Sequence, residues 1–388
     1  MSLPRLLYVG DVPVESTIAG AVLLYRLFDG YPADRLVICQ SDLAAIRAPE
    51  SRLPGVTYQP FSLGPTRWLY SRFSGYYGAY LLARSRVAVD ALAERARVSD
   101  AIVTVAHAFS WLTAAKLAKR HGVPLHLVVH DDCLATMGIA PMMRGLVEAR
   151  FGQVYRSAAS RFCISPAMRD HYLRRYGVGS EVLYPSRARD AGTHASPSSR
   201  LARRDSPFTV AFAGSLNLGH IGSIEAIASV LGELGGRLEI YGASLGPDPR
   251  ARLTSSVISF HPFLPSGELS ERLRERADVL LMPMSFDAVD AQNMELCFPA
   301  KLADYTAMGI PILITGPSYC SAVKWAADNP GAAEVAVTMD ALPLALRKLA
   351  NDAGHRWSLV AEALRIGQTL FGHAQVQQRF LAGLTRTD

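Results

Sequence analysis

Short apolar runs of three to six residues, most of them followed by a stretch with helical spacing, recur along this chain, and that alternation constrains the fold more than any other feature. The runs lie at 5–9, 35–39, 101–105, 125–129, 160–164 and 181–183, and the pattern restarts at 208–213, 237–241, 257–260, 279–282 and 312–314. Helical periodicity at 108–121 and 167–176 follows two of them. Apolar strands alternating with crossover helices leave a parallel sheet covered on both faces, so the expected class is α/β, doubly wound. The restart implies two such sheets. Between the halves lies RARDAGTHASPSSRLARRDSP, almost free of large apolar residues, which reads as a linker over 187–206. The expected domains are therefore 1–186 and 207–369, with any ligand in the cleft between them at the carboxyl ends of the strands.

Composition agrees with a globular chain. Its 388 residues suffice for two cores, 49% are hydrophobic, and the 30 Gly and 23 Pro are spread along the length, which excludes disordered and collagenous classes. Five cysteines (Cys39, Cys133, Cys163, Cys297, Cys320) make an odd set without a CxxC pair, arguing against a disulfide framework or a zinc site and for a reducing, cytoplasmic compartment. No run of 18 apolar residues occurs, and an acid at Asp11 comes too early for a signal peptide, so neither a membrane span nor export is expected.

Charge is unevenly distributed. Residues 1–186 carry 21 Lys+Arg against 14 Asp+Glu, whereas residues 207–388 carry 14 against 18. A basic first half suits an anionic partner, although 35 of the 40 cations are Arg and the bias could be compositional. From Ser51 to Val89 there is no acid, and Trp68, Tyr70, Phe73, Tyr76, Tyr77 and Tyr80 interleave with Arg67, Arg72, Arg84 and Arg86. That mixture fits an anionic membrane surface, and it equally fits a helix pair packed in the first domain. No nucleic-acid motif accompanies it, so no nucleic-acid partner is expected.

The stretch ELCFPAKLADYTAMGIPILIT carries the most chemistry. Phe298-Pro299 makes a turn, Lys301, Asp304 and Tyr305 fall within one helical turn, and Gly309-Ile310-Pro311 ends the helix before a buried strand. A helix start at Phe298, Pro299, Ala300 and Lys301 offers backbone N–H groups to an anion, and it equally reads as a plain helix capped by Pro and Gly. Gly214–Ile221 has the spacing of a phosphate-binding loop, but His220 and Ile221 replace the Lys and Ser/Thr that ATP chemistry needs. Asp131-Asp132 and Asp287 with Asp290 read as caps or solvated carboxylates, so no metal site is expected, and Ser165 and Ser186 show no nucleophile elbow. His107 ends a strand where it could touch an acceptor, or serve the core.

These blocks together resemble the GT-B glycosyltransferases, in particular the large retaining family with a Glu-x7-Glu motif. FPAKLADYTAMGIPILI is similar to its SPxKLxEYMAxGxPVV form, RFCISPAMRDHYLRRYGVGSEVLYPS to its ISPxMxxxYxxRYGV block, and FTVAFAGSLNLGHIGSIEAI to FVGRLxxxKGxxxLIEA. LEIYGAS, ISFHPFLPSGELSERLRERADVLLMP and LHLVVHDD match further family blocks in the right order, over about residues 100–320.

The resemblance implies a GT-B fold, two Rossmann-like domains facing across a cleft, with 370–388 a helix returning to the first. It implies transfer of a sugar from a nucleotide-sugar, UDP- or GDP-linked, to a glycan or lipid-linked glycan acceptor of bacterial cell-surface polysaccharide, with retention and without metal or other cofactor. On that implication Asp304 binds the donor ribose, Lys301 and the amides of 298–301 hold the diphosphate, His130 lies beside the transferred sugar, and Phe263 and Leu264 pack on the base. Ser215 and His220 replace the family's Arg and Lys on the diphosphate, and Leu296 replaces the first Glu, with Glu295 one place out of register. Protonated His220 is expected to supply part of the missing charge. The protein is expected in the cytoplasm, peripheral on the membrane. A nucleotide-sugar epimerase of the same fold and a degenerate, non-catalytic sugar-nucleotide binder are the alternatives.

Overall fold

The computed structural model describes residues 3–17, 19–41, 49–64, 68, 71–136, 139–192, 194, 196–202, 206–216, 218–242 and 247–385. Arg67 and Tyr70 of the aromatic segment lie outside the described residues. Two compact units divide the chain, Met1–Arg189 with His373–Asp388, and Asp190–Gly372.

In the first unit the strands are β1 (Leu6–Gly10), β2 (Leu36–Ser41), β3 (Thr57–Phe61), β4 (Ala101–Val105), β5 (Leu125–Val129), β6 (Ser160–Cys163) and β7 (Glu181–Val182). They form one sheet in the order β3-β2-β1-β4-β5-β6-β7, with every pairing parallel. β1, β4 and β5 are buried at every residue, as strands covered by helices on both faces must be. One face packs the helix Ala19–Phe28 and the final helix His373–Leu384 through Leu24, Phe28, Val376 and Phe380. Gly383 lets that last helix settle on Phe162, because a Cβ there would fall 2.3 Å from Phe162 Cζ. The second unit holds β8 (Thr209–Ala213), β9 (Arg237–Tyr241), β10 (Ile258–His261), β11 (Val279–Pro283), β12 (Ile312–Thr315) and β13 (Glu334–Ala336), in the parallel order β10-β9-β8-β11-β12-β13.

Both orders are Rossmann orders, and each reverses beside its first strand, between β1 and β4 and between β8 and β11. Eleven strands coincide with apolar runs in the sequence, within two residues at either end. β3 and β13 do not. Both lie at sheet edges; β3 is TYQPF, partly exposed and containing Pro60, and β13 is only EVA. An edge strand needs no continuous apolar run, and a proline is tolerated there.

The Ser- and Arg-rich stretch read as a linker groups with the second unit from Asp190 onward. Arg200 meets Asp278 at 2.8 Å with both side chains 7% exposed, Asp278 also accepts the Thr209 N–H, and the Ser198 N–H donates to Gly309 O. Polar bonds, with the buried Leu201 beside them, hold this segment, which is why its composition reads as a spacer.

Candidate functional site

In the second unit the candidate side chains gather at the carboxyl ends of β8 and β11, the switch point of the sheet. Gly214 follows β8 with φ +122°, a backbone that only glycine adopts without strain. A Cβ at Gly214 would lie 1.9 Å from Lys301 Cε. The glycine is therefore the gap through which Lys301 lies across the strand end, its Nζ 5.0 Å above the Phe212 ring. Lys301 comes from the helix Ala300–Tyr305, which Pro299 caps and Tyr305 anchors by accepting the Ala213 N–H at 3.0 Å. Burial lowers the Lys301 pKa to about 8, opposed by the nearby Asp304 carboxylate.

His220 immediately precedes the helix Ile221–Glu233 and feels the same cation. Burial and Lys301 together depress its pKa to about 4, against the opposite pull of Asp290. His220 is thus neutral near pH 7 and offers a hydrogen bond, not the charge expected of it. Gly219 allows the close approach of Asp290 and Ser285, since a Cβ there would meet their side-chain oxygens at 2.7 and 2.2 Å. Ser215, His220, Lys301 and Asp304 accordingly surround one strand-end region, with Ser215 exposed and Asp304 half-buried.

Other expected residues stand differently. Phe298 is buried and its ring packs on Phe371 at 5.7 Å, so its side chain faces the interior and not a ligand. Phe263 is 70% exposed beside Gly242, after the stacked pair Tyr241 and His261, and Leu264 is half-buried. Leu296 is buried in the core, and the adjacent Glu295 is engaged by Lys324 at 2.9 Å.

In the first unit the corresponding strand ends carry Asp11, His107 and His130. Asp11 is buried after β1 and accepts the N–H groups of Phe109 and Ser110 and the hydroxyls of Ser41 and Ser110, which fixes the start of the helix Ser110–His121. Ahead of that helix Ala108 takes φ +42°, a strained value for a residue with a side chain, next to His107. His107 and His130 stack with ring centroids 5.9 Å apart, and His130 Nε2 lies 3.1 Å from Asp131 Oδ2. Burial and the neighbouring His130 lower the His107 pKa. Among the described residues, His107, His130 and Asp131 are also the group whose geometry could hold a metal ion, a grouping absent from the sequence reading because a strand separates the two histidines. Asp11 and Ala108 were missed as well. Asp11 at the end of a strand ending in Gly was the available signal, whereas nothing in the sequence marks Ala108.

Two Rossmann-like units of this order in one chain make a GT-B fold. No protein-family model matches the sequence, and no curated protein matches it. Among solved structures the chain is similar to HepE of Anabaena, crystallised with UDP-glucose, at a TM-score of 0.69 and 13% identity over 98% of this chain and 99% of that one. The sucrose-phosphate synthase of Thermosynechococcus elongatus superposes with a TM-score of 0.69 and 13% identity over 97% of each chain. A UDP-forming α,α-trehalose-phosphate synthase from Burkholderia vietnamiensis gives 0.65 and 14% over 98% of this chain and 99% of that one. The likeness is one of fold.

The packing of Lys301 on Gly214 is directly testable. Gly214→Ala meets both the left-handed backbone and the lysine stem, and should destabilise by about 1–3 kcal/mol. Removing the stem in Gly214→Ala/Lys301→Ala should recover the contact part and leave the backbone part. Denaturant unfolding of the two single variants and the double checks this; additive effects would show that the two residues do not touch.

Proposed function

We propose that this protein is a glycosyltransferase that moves a sugar from a nucleotide-sugar, UDP-linked in the first instance, to a glycan or lipid-linked glycan. The observation that carries the reading is Lys301, laid over Gly214 at the switch point of the second sheet with the N-terminus of the helix Ile221–Glu233 beside it. A half-buried cation and oriented N–H groups at that point suit a diphosphate. The solved proteins similar in fold include ones crystallised with UDP or UDP-glucose, which supports UDP as the first nucleotide to try. Asp304, one helical turn from Lys301, is the carboxylate for the ribose hydroxyls. His130, at a strand end of the first unit, is the group beside the transferring sugar. Its imidazole can hydrogen-bond a sugar hydroxyl or stabilise an oxocarbenium-like centre. The reaction we propose retains configuration, with the donor phosphate accepting the acceptor's proton, and requires no metal. With Ser215 and a neutral His220 where the family has permanent cations, Lys301 carries more of the diphosphate charge.

The acceptor is proposed to be membrane-borne, which makes the protein a peripheral one. Among the described residues no helix is long and apolar enough to cross a membrane. Yet Trp68, Phe73, Tyr76 and Tyr80 are 40–71% exposed, while Tyr77 is buried. Gly75 abuts Ala140, so the start of the helix Ser74–Arg97 adjoins that of Pro141–Ser157, whose Met142 and Leu146 are 83% and 51% exposed. Exposed aromatics with Arg72 and Arg86 and no neighbouring acid in sequence match an anionic bilayer.

Asp304→Asn should leave the fold intact and weaken UDP-sugar binding by about one to two decades, the worth of a charge-assisted hydrogen bond of roughly 1.5–3 kcal/mol. Unchanged affinity by calorimetry removes Asp304 from the site.

His130→Ala should lower kcat by roughly 10²-fold or more with little change in nucleotide affinity. Product analysis over an acceptor screen reads the effect, and conversion of the donor alone would identify an epimerase instead.

For the surface, wild type should co-sediment with anionic vesicles and release as salt rises. Arg72→Gln/Arg86→Gln should lose about 2 kcal/mol of partitioning, roughly thirtyfold, at unchanged melting temperature. Indifference of wild type to vesicles at low salt would refute the membrane face.

A further inference from the structure

The two histidines and the aspartate at the strand ends of the first unit form a chelating set that sugar transfer does not call for. We propose that His107, His130 and Asp131 bind a divalent first-row transition-metal ion of the zinc class, and that the bound ion inhibits the protein by tying up His130.

Three observations converge. The ligating atoms of all three side chains lie within 4.8 Å of one another. A four-coordinate ion with bonds of about 2.0–2.2 Å holds its ligands about 3.4 Å apart, so atoms spread over as much as 4.8 Å would have to draw together around it. The His130–Asp131 pair, at 3.1 Å, is already at that separation. Buried imidazole nitrogens also stand without hydrogen-bond partners, at Nδ1 of both His107 and His130. His130 is only 6% exposed and presents Nε2 to Asp131, so of the two unpartnered nitrogens the His107 Nδ1 is the one an ion in this set would satisfy. Access is the third point, because Asp131 is 36% exposed and gives solvent a route to the set. The position next to Gly20 leaves room, since a Cβ there would still lie 4.0 Å from His130 Nε2.

The donor set selects the ion. Two imidazoles and one carboxylate suit zinc, cobalt or nickel, whereas magnesium and calcium require an oxygen cage that these residues do not supply. Asp131 contributes one negative charge, and the Asp11 carboxylate, its oxygens held by Phe109, Ser110 and Ser41, adds an electrostatic pull on His107. Three protein ligands leave a fourth position for water, as in an open site. Only the inhibitory consequence rests on the transfer reading; the binding does not.

The test uses the full chain, purified after chelation. Zn²⁺ titrated by calorimetry should bind one equivalent and raise the melting temperature. Co²⁺ should develop the visible absorption of a low-symmetry four- or five-coordinate ion. His107→Gln and Asp131→Asn should each weaken Zn²⁺ binding by at least the roughly 10–100-fold that loss of an outer-shell partner costs. His355→Gln, in the second unit, should leave the isotherm unchanged, as should Mg²⁺ added in place of zinc give no heat. Asp131→Asn changes a partly exposed carboxylate, so it keeps the test valid if a histidine variant fails to fold. Absence of stoichiometric Zn²⁺ binding overturns the proposal, and so does binding that survives both substitutions. If Zn²⁺ binds but a measured transfer reaction proceeds undiminished at saturating Zn²⁺, the inhibitory half is overturned. These readouts do not require activity, so a failure of the transfer reading leaves the metal result interpretable.

Discussion

Every strand in both units is parallel, and the central strands are buried on both faces. That single constraint organises the rest. Each strand must return by a crossover, so all carboxyl ends open on one edge of their sheet, and apolar side chains occupy both faces. Polar chemistry is left with the loops at that edge, above all where the strand order reverses. Gly214, Ser215 and Ser285 follow β8 and β11 in one unit, and Asp11 and His107 follow β1 and β4 in the other, for this common reason.

Within the second unit the same burial makes cations expensive. Lys301 is kept near an aromatic face, with Asp304 one turn away, and its pKa falls to about 8. A second cation a short distance away would meet both desolvation and repulsion. His220 answers by staying neutral. On the proposed reading, Ser215 and a neutral His220 leave Lys301, seated through a glycine gap, as the side-chain cation for a diphosphate, with helix N–H groups as uncharged donors beside it.

Legibility in the sequence follows the physics of each element. Central strands announce themselves because they are mostly apolar, and all of them were readable, RLEIY of β9 included despite its buried Glu239. β3 and β13 were not, because an edge strand can be half-exposed, short, or contain a proline such as Pro60. The helix expected from residue 108 begins at Ser110, since Ala108 turns into the left-handed region and Asp11, distant in sequence, caps the next two amides. Residues 198–200 read as spacer because their anchoring is polar: a buried Arg200–Asp278 pair leaves no apolar signature. Among the candidate site residues, Lys301, Asp304 and His220 came from spacing and resemblance, whereas the direction of the Phe298 ring, inward against Phe371, depends on a residue 73 positions away. The pairing of His107 with His130 is likewise a tertiary fact, made by adjacent β4 and β5.

The aromatic segment shows how one helix can satisfy two readings at once. Along Ser74–Arg97 the buried positions Tyr77, Leu81, Ser85, Ala88, Leu92 and Ala96 recur at three- and four-residue intervals and face the unit's interior. Offset from them, Tyr76, Tyr80, Ala83 and Val87 recur at the same intervals on the exposed side. An ordinary surface helix would carry charges of both signs there, yet its first acid is Asp90, already paired with Arg120. Core packing accounts for the inner stripe and reaches into the outer one, where Tyr80 stacks on the buried Tyr77 with ring centroids 5.4 Å apart. Tyr76, Ala83 and Val87 stay exposed, and it is these, flanked by Arg72 and Arg86, that the proposed membrane contact would use.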